Sequence, residues 1–180
     1  MGFMGFAGLA QAEERELAVE PEDMVAVEVT TLALEEGGAP APVVLLGEPD
    51  SERVVPIFIG PAEAQAIHDA LHGVEPPRPM THDLFGSVLR ATGYSLEAVY
   101  IDAIVNGAYV AALALKPEDG DAVRYIDSRS SDAIALALRA EATIYAAPEV
   151  LEAAEEREQP RPQDESLRMT RLNLLPGPTT

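Results

Sequence analysis

The chain lacks several residue types and segments, and each absence excludes a class of site. None of its 180 residues is cysteine, which excludes disulfide bonds, thiolate metal ligands and a cysteine nucleophile. No apolar run approaches the roughly 18 residues that a membrane-spanning helix needs, and the apolar start lacks the positive charge of a signal peptide. We therefore expect a cytoplasmic protein without a membrane partner.

Basic residues are also scarce. Lysine and arginine together number 12 against 31 aspartates and glutamates, and the net charge is −19. Proteins bind the phosphate backbone largely through lysine and arginine, so this charge disfavours nucleic acid as a partner unless basic residues cluster or a divalent cation intervenes. Carboxylate oxygens are preferred ligands of Mg²⁺ and Mn²⁺. The Walker loop, Gly-x-Ser-x-Gly, HExxH and paired CxxC motifs are absent.

The order of apolar patterns predicts an α+β fold with a mixed, largely antiparallel sheet and helices packed on it. Strands are predicted at residues 24–34, 43–46, 53–59, 96–105, 108–115, 122–127 and 143–146. Helices are predicted at residues 61–72, 81–93, 131–139 and 148–156. A hairpin followed by a helix, then a meander followed by a helix, hints at duplicated halves. We expect a domain at 22–157, between a flexible extension at 1–21 and a disordered tail at 158–180.

Three local patterns predict details of the sheet. The apolar positions change parity after Val29, which indicates a bulge or twist in the first strand. Pro56 indicates a strand with a free edge or an irregularity. Asn106-Gly107 predicts a two-residue hairpin loop, which would place Asp102 opposite Ala111.

Two predicted helices begin with residues that suggest chemistry. Glu63 lies near the middle of an apolar stripe, where a carboxylate must be at the helix mouth, paired or bound to a ligand. Thr81 and Asp83 suit capping of the next helix. His82 between them suits a metal ligand or a general acid–base, and it shares a helix face with Gly86 and Arg90.

The third helix start allows two interpretations. In the first, Ser131 or Ser130 caps the helix, Asp132 favours its positive end, and Arg129 pairs with Asp127. In the second, the carboxylates hold a cation and the arginine holds a phosphoryl oxygen.

The other polar candidates have competing structural explanations. Asp102 lies in the middle of a strand, which is costly on a buried face and unremarkable on a face open to water. His68 and His72 stand four apart, a spacing that can chelate a metal on a helix. At about 100° per residue, however, both fall opposite the apolar face, so we expect them on a solvated surface.

Three segments resemble the successive blocks of the bifunctional nuclease domain family. They are Ile59-Gly-Pro-Ala-Glu63-Ala-Gln-Ala-Ile67, Arg78-Pro-Met-Thr-His-Asp-Leu84 and Asp127-Ser-Arg-Ser-Ser-Asp-Ala-Ile-Ala-Leu136. The resemblance covers roughly residues 23–155, with Ser130 standing where the family commonly has proline. It implies a compact α+β domain that forms homo-oligomers and cleaves both DNA and RNA.

The family blocks and the local chemistry together predict a metal-assisted nuclease. The expected catalytic residues are His82, Asp83, Asp127, Arg129 and Asp132. The expected substrate-binding residues are Arg78, Arg90 and Ser131. The expected ligands of Mg²⁺ or Mn²⁺ are Glu63, Asp102, Asp127 and Asp132. Two alternatives are a non-catalytic oligomeric binding or regulatory module of unknown ligand, and a small-molecule site lined by His82, Arg90 and Arg129.

Overall fold

A computed structural model describes residues 14–36, 41–49, 51, 53–120, 122–158 and 168–171. A short 3₁₀ helix, Pro21–Asp23, precedes the sheet. The strands are β1 (Val25–Glu36), β2 (Ala41–Gly47), β3 (Val54–Phe58), β4 (Tyr94–Val105), β5 (Ala108–Pro117), β6 (Arg124–Arg129), β7 (Thr143–Ala146) and β8 (Arg168–Arg171). The helices are α1 (Pro61–Leu71), α2 (Thr81–Ala91), α3 (Ser130–Ala140) and α4 (Pro148–Glu158).

The strands form one mixed sheet in the order β3-β2-β1-β7-β4-β5-β6, and β8 pairs with β1. The β4–β7 pair is parallel, and every other pair described is antiparallel. The prediction of an α+β fold with a mixed, largely antiparallel sheet is confirmed. Strand β8 lies within the range that the sequence predicted to be a disordered tail; the rest of that range beyond α4 is outside the described residues.

The two halves of the chain share one topology. Strands β1, β2 and β3 form an antiparallel meander that leads into α1, and β4, β5 and β6 form a second meander that leads into α3. Strand β7 lies between the two meanders, and α1 packs against α3. Equivalent positions of the two helices are therefore brought close to one another.

The bulge predicted in the first strand is present. The β1–β2 register shifts between Val29 and Thr31. Strand β2 pairs with β1 on both sides of the shift, whereas β7 pairs only with residues 25–27 before it and β8 only with residues 33–36 after it. Strand β3, which contains Pro56, ends the described order of the sheet, as the proline indicated.

The hairpin between β4 and β5 is also present, with one difference in register. Asn106 and Gly107 have φ angles of 51° and 80°, and Val105 pairs with Ala108 as predicted. A second shift, between Ile101 and Ala103, places Ile101 opposite Ala111. The expected pairing of Asp102 with Ala111 is therefore wrong, because Asp102 is the extra residue of a β-bulge.

The core lies between the sheet and the helices. Helix α3 packs on β4, β5 and β6, while α1 packs on β2 and α4 contacts β3 and β4. The largest side chains with no exposed surface include Leu46, Ile67 and Ile134. No helix in the described ranges is long and apolar enough to cross a membrane.

Two helix starts and one helix face differ from prediction. The N-cap of α2 is Met80 rather than Thr81, and the N-cap of α3 is Arg129 rather than either serine. Strand β6 runs into α3 without a loop, so Ser130 and Ser131 fall in the first helical turn and are 7% exposed. His68, expected on a solvated face, is also 7% exposed, because α1 is covered by both α3 and β2.

Residues 14 and 15, which precede β1, lie against the sheet. Glu14 forms an antiparallel bridge with Ile126 of β6, and the backbone N–H of Arg15 donates to the Tyr125 carbonyl at 2.9 Å. These residues fall within the range predicted as a flexible extension. The first 13 residues of that range lie outside the described part of the chain.

Candidate functional site

The direct passage from β6 into α3 fixes the position of Arg129. Its Nε donates to Oδ2 of Asp132 at 2.7 Å, and its Nη1 donates to Oε1 of Glu63 at 3.0 Å. Asp127, the partner that the first interpretation expected, does not make this ion pair. The side chain of Arg129 is 67% exposed, so the guanidinium is held by two carboxylates while it faces solvent.

The two carboxylates occupy equivalent positions of the duplicated topology. Glu63 is the third residue of α1, and Asp132 is the third residue of α3. Carboxylates in a first turn are favoured by the positive end of the helix dipole. A Cβ added at Gly60 would collide with the Glu63 carboxylate, so the glycine before α1 allows this carboxylate to fold back over the helix start.

His82, from the start of α2, completes the cluster. Its Nε2 lies 3.1 Å from Oδ1 of Asp132, and its side chain is 15% exposed. An ionised carboxylate only accepts hydrogen bonds, so Nε2 is the donor in this contact, and in the neutral imidazole Nδ1 is the acceptor. We name Glu63, His82, Arg129 and Asp132 the Arg129 joint.

Electrostatics keep the centre of the Arg129 joint charged. Burial raises the pKa of Asp132, but the hydrogen bonds from Arg129 and His82 outweigh burial, and the pKa lies below its ordinary value. The hydrogen bond to Asp132 raises the pKa of Arg129 in turn, against the effect of burial. Asp132 is therefore an acceptor at neutral pH and orients the imidazole of His82.

Asp83 does not belong to the Arg129 joint but fixes the helix that carries His82. Its Oδ1 accepts from Nε of Arg139 at 2.6 Å, and its Oδ2 accepts from the Met80 backbone N–H at 2.9 Å. Burial raises the pKa of Asp83, and the hydrogen bonds from Arg139 and Met80 overcome this and lower it. Asp83 thus acts on α2 in the way that capping predicts, and its two oxygens are both engaged.

A second ionic cluster lies between the N-terminal segment and the sheet. Arg15 donates from Nη2 and Nη1 to the two oxygens of Asp102 at 2.6 and 2.7 Å, and the Ala18 N–H donates to the same carboxylate at 2.8 Å. Asp102 is 1% exposed. Nε of Arg15 lies 3.0 Å from Asp127 but is not aligned for a hydrogen bond, so that contact is ionic.

Sequence reasoning missed Arg15. The signal was an alternation after the first acidic residues: Arg15, Leu17 and Val19 are half-buried, whereas the residues between them are exposed. A period of two is typical of a strand-like segment against a sheet. The composition of the segment, rich in glutamate, concealed it.

The structure separates the four expected metal ligands into two pairs. Glu63 and Asp132 meet on Arg129, and Asp102 and Asp127 meet on Arg15. Within the described ranges, no three histidine, aspartate or glutamate side chains are grouped so that they could hold a metal ion. Mg²⁺ or Mn²⁺ therefore does not fit these residues in their present arrangement, because an arginine already occupies each pair.

The expected substrate-binding residues are not gathered around Arg129. Arg78 is exposed and makes no ion pair with any residue that the structure describes. Arg90 donates to Ser87 Oγ at 3.2 Å, and Ser131 is buried. The structure brings His82 and Arg129 to Asp132, but it describes no contact of Arg90 with them.

All four residues of the Arg129 joint lie in the part of the chain that matches known proteins. Residues 44–159 match the family model described as "Bifunctional nuclease domain". The uncharacterized proteins MT1877 and Rv1829, from two strains of Mycobacterium tuberculosis, are each 42% identical to the chain over 110 residues. Each match covers 61% of this chain and 64% of the relative, which is less than two thirds of the relative's length. The chain belongs to the bifunctional nuclease domain family.

Proposed function

We propose that the chain hydrolyses phosphodiester bonds of DNA or RNA at the Arg129 joint. One observation carries the proposal: a solvent-facing guanidinium lies beside a histidine that a carboxylate orients. These are the two elements that phosphodiester hydrolysis needs, a general base and a positive donor for the phosphate. Family membership supports the same reaction class.

In this proposal each residue of the joint has a role. Nδ1 of His82 takes a proton from a water molecule, whose oxygen then attacks the phosphorus. Asp132 stabilises the charge that His82 gains. Nη2 of Arg129, which has no hydrogen-bond acceptor among the described residues, donates to a phosphate oxygen. The leaving oxygen takes its proton from the protonated His82 or from solvent.

Glu63 sets the position and the charge of the guanidinium. It shares Arg129 with Asp132, so two negative groups neutralise one positive group. This arrangement weakens the attraction of the site for phosphate, in a chain whose net charge is already −19. Because Arg129 occupies both carboxylates, binding of Mg²⁺ or Mn²⁺ here requires that Glu63 or Asp132 first release Arg129.

A nuclease assay on four substrates tests the proposal. Single- and double-stranded DNA and RNA are incubated with the full chain in the presence of a chelator, Mg²⁺ or Mn²⁺. His82→Gln is compared with His72→Gln, a matched change at an exposed histidine outside the joint. We expect cleavage that His82→Gln reduces by about 100-fold, in the range of a lost general base, and that His72→Gln preserves.

Two results would reject different parts of this proposal. Absence of cleavage under every metal condition rejects the nuclease function. Cleavage that His82→Gln and His72→Gln affect equally rejects the Arg129 joint as its site.

The second candidate is a non-catalytic binding or regulatory module. The observation that favours it is that the carboxylates of Glu63 and Asp132 are both already paired with Arg129. Under this candidate a bound ligand raises the melting temperature by mass action and no substrate is cleaved. Nucleotides and phosphorylated metabolites are the probes for a thermal-shift series.

Assembly and location belong to the same proposal. We propose that the chain forms a homo-oligomer and acts in the cytoplasm. Light scattering after size exclusion measures the mass of the assembly, and fractionation of cells that express the chain measures its location.

A further inference from the structure

His68 and His72 form a stacked pair at the C-terminal end of α1. Their ring centroids lie 4.2 Å apart, with an angle of 29° between the ring planes. His68 lies in the last turn of the helix, and His72 is its C-cap. His68 is 7% exposed and His72 faces solvent, so the pair is open to water on the side of His72.

The hydrogen bonds of the pair fix which ring nitrogen is the donor. Nδ1 of His72 lies 2.8 Å from the backbone carbonyl oxygen of His68. Nδ1 of His68 lies 3.3 Å from Oδ1 of Asp69. A carbonyl and an ionised carboxylate only accept hydrogen bonds, so Nδ1 donates in both residues. In the neutral imidazoles, both Nε2 atoms therefore carry a free lone pair.

Metal-binding histidines are held in the same way. A histidine ligand almost always donates its other ring N–H to a carboxylate, a backbone carbonyl or water, which fixes the tautomer and the orientation of the ring. Here His68 uses a carboxylate and His72 uses a carbonyl. The carboxylate is itself held in place, because Oδ1 of Asp69 accepts from Nε2 of Gln65 at 2.7 Å. Both histidines thus have the outer partners that a metal ligand needs.

The spacing of the two rings suits a single ion. Histidines four positions apart on a helix lie on one face and can bind the same zinc ion. Zn–N bonds are about 2.0–2.1 Å long, so two nitrogens on one ion lie at most about 4 Å apart. The centroid separation of 4.2 Å is close to that limit, and the exposed ring of His72 is free to rotate towards its neighbour.

The donor set selects the class of ion. Imidazole suits zinc, copper and nickel, whereas Mg²⁺ and Mn²⁺ prefer oxygen ligands. Among the residues that the structure describes, no third histidine, aspartate or glutamate joins the pair to complete a metal cluster. Water therefore takes the remaining coordination positions.

We propose that His68 and His72 bind one Zn²⁺, Ni²⁺ or Cu²⁺ ion through their Nε2 atoms. The bound ion links successive turns of α1, the helix whose start carries Glu63. The site is separate from the Arg129 joint, because nine residues, or about 13 Å along a helix, lie between Glu63 and His72. The proposal does not depend on the nuclease function.

Calorimetric titration of Zn²⁺ into the metal-free full chain tests the proposal. The chain contains three histidines, so each can be assigned. His72→Gln changes an exposed residue and removes one ligand, and His82→Gln reports whether the ion binds at the Arg129 joint instead. We expect His72→Gln to weaken Zn²⁺ binding by at least about 10-fold, since the loss of an outer partner alone costs about 10- to 100-fold. We expect His82→Gln to bind Zn²⁺ as wild type does.

A long-range ¹H–¹⁵N spectrum of the imidazoles identifies the ligand atoms. In the metal-free chain, His68 and His72 should both carry their proton on Nδ1. Added Zn²⁺ should shift the Nε2 signals of both residues together and leave the signals of His82 in place. This measurement needs no substitution at the buried His68.

Four outcomes decide the proposal. Weaker binding in His72→Gln together with the paired Nε2 shifts supports it. Binding that His72→Gln does not weaken assigns the ion to surface carboxylates, and binding that only His82→Gln weakens assigns it to the Arg129 joint; both overturn the proposal. Absence of Zn²⁺ binding overturns it as well. None of these results bears on the nuclease assay, because its ions, Mg²⁺ and Mn²⁺, prefer oxygen ligands.

Discussion

Arg15 donates two hydrogen bonds to Asp102, a carboxylate 87 positions further along the chain. Asp102 is the extra residue of the β4 bulge and is 1% exposed. The family match begins at residue 44, so a buried charge inside the matched domain is neutralised by an arginine outside it. The segment that carries Arg15 is therefore part of the folded unit and contributes to its stability.

Arg15→Ala should destabilise the protein strongly. The change leaves the Asp102 carboxylate buried, and among the residues that the structure describes only the Ala18 N–H still donates to it. Removing one member of a buried ion pair costs about 3 kcal/mol, and we expect that loss in the free energy of unfolding measured with urea. Lys116→Ala is the control, because its pair with Glu97 is at 3.6 Å on the surface and should contribute less than about 1 kcal/mol. Equal losses for the two variants would show that Asp102 does not depend on Arg15.

Arg139→Ala should loosen α2. Arg139 joins three helices, because it donates to Asp83 in α2, to the Ala66 carbonyl in α1 and to the Ala135 carbonyl in α3. Loss of a hydrogen bond to a charged group costs about 2 kcal/mol. We expect a loss of that size in unfolding free energy, with faster amide hydrogen exchange in α2 than in α4. Uniformly faster exchange in all helices would instead indicate global destabilisation.

Asp132 should make stability fall at acidic pH. Its pKa in the folded chain is lowered by Arg129 and His82 against the effect of burial. The ionised carboxylate is therefore more stable in the folded chain than in the unfolded chain. The contribution is complete above the pKa of an unfolded aspartate, about 3.9, and is lost as pH falls through the lower folded value. We expect Asp132→Asn to show a smaller decline in unfolding free energy than wild type between about pH 5 and pH 2. Asp119→Asn is the control at an exposed position and should decline as wild type does. If the unfolding free energy of Asp132→Asn falls with pH as much as that of wild type, Asp132 is not the source of the acid sensitivity.

Local signals in the sequence predicted much of the fold. The Asn106-Gly107 turn needs positive φ at both residues and is decided by those two residues alone. The parity change in β1 likewise reports a bulge within its own strand. The bulge at Asp102 left no such signal, because the carboxylate is held there by Arg15, from a distant segment.

The Arg129 joint could be predicted only as separate candidates. Each of Glu63, His82, Arg129 and Asp132 stood out at a helix start, but the sequence does not state which helix starts meet. Their meeting follows from the packing of α1, α2 and α3, in which α3 contacts both of the others. The exposure of apolar residues on α2, such as Leu84, was hidden for a related reason: periodicity shows that a helix has an apolar side, not which way that side faces.

Arg129→Lys should reduce nuclease activity more than it reduces stability. Arg129 uses Nε and Nη1 to bind two carboxylates, and in the proposed reaction its Nη2 donates to a phosphate oxygen. Lysine offers a single charged nitrogen and cannot serve all three positions. We expect kcat to fall by about 100-fold, the usual cost of one lost donor to the transition state. The free energy of unfolding should change by less than about 1 kcal/mol, because the side chain is 67% exposed. Arg124→Lys is the control, since Arg124 is an exposed arginine of the same strand that lies over Tyr94 at 5.9 Å. If both variants retain wild-type kcat while cleavage is present, the guanidinium of Arg129 does not contact the phosphate.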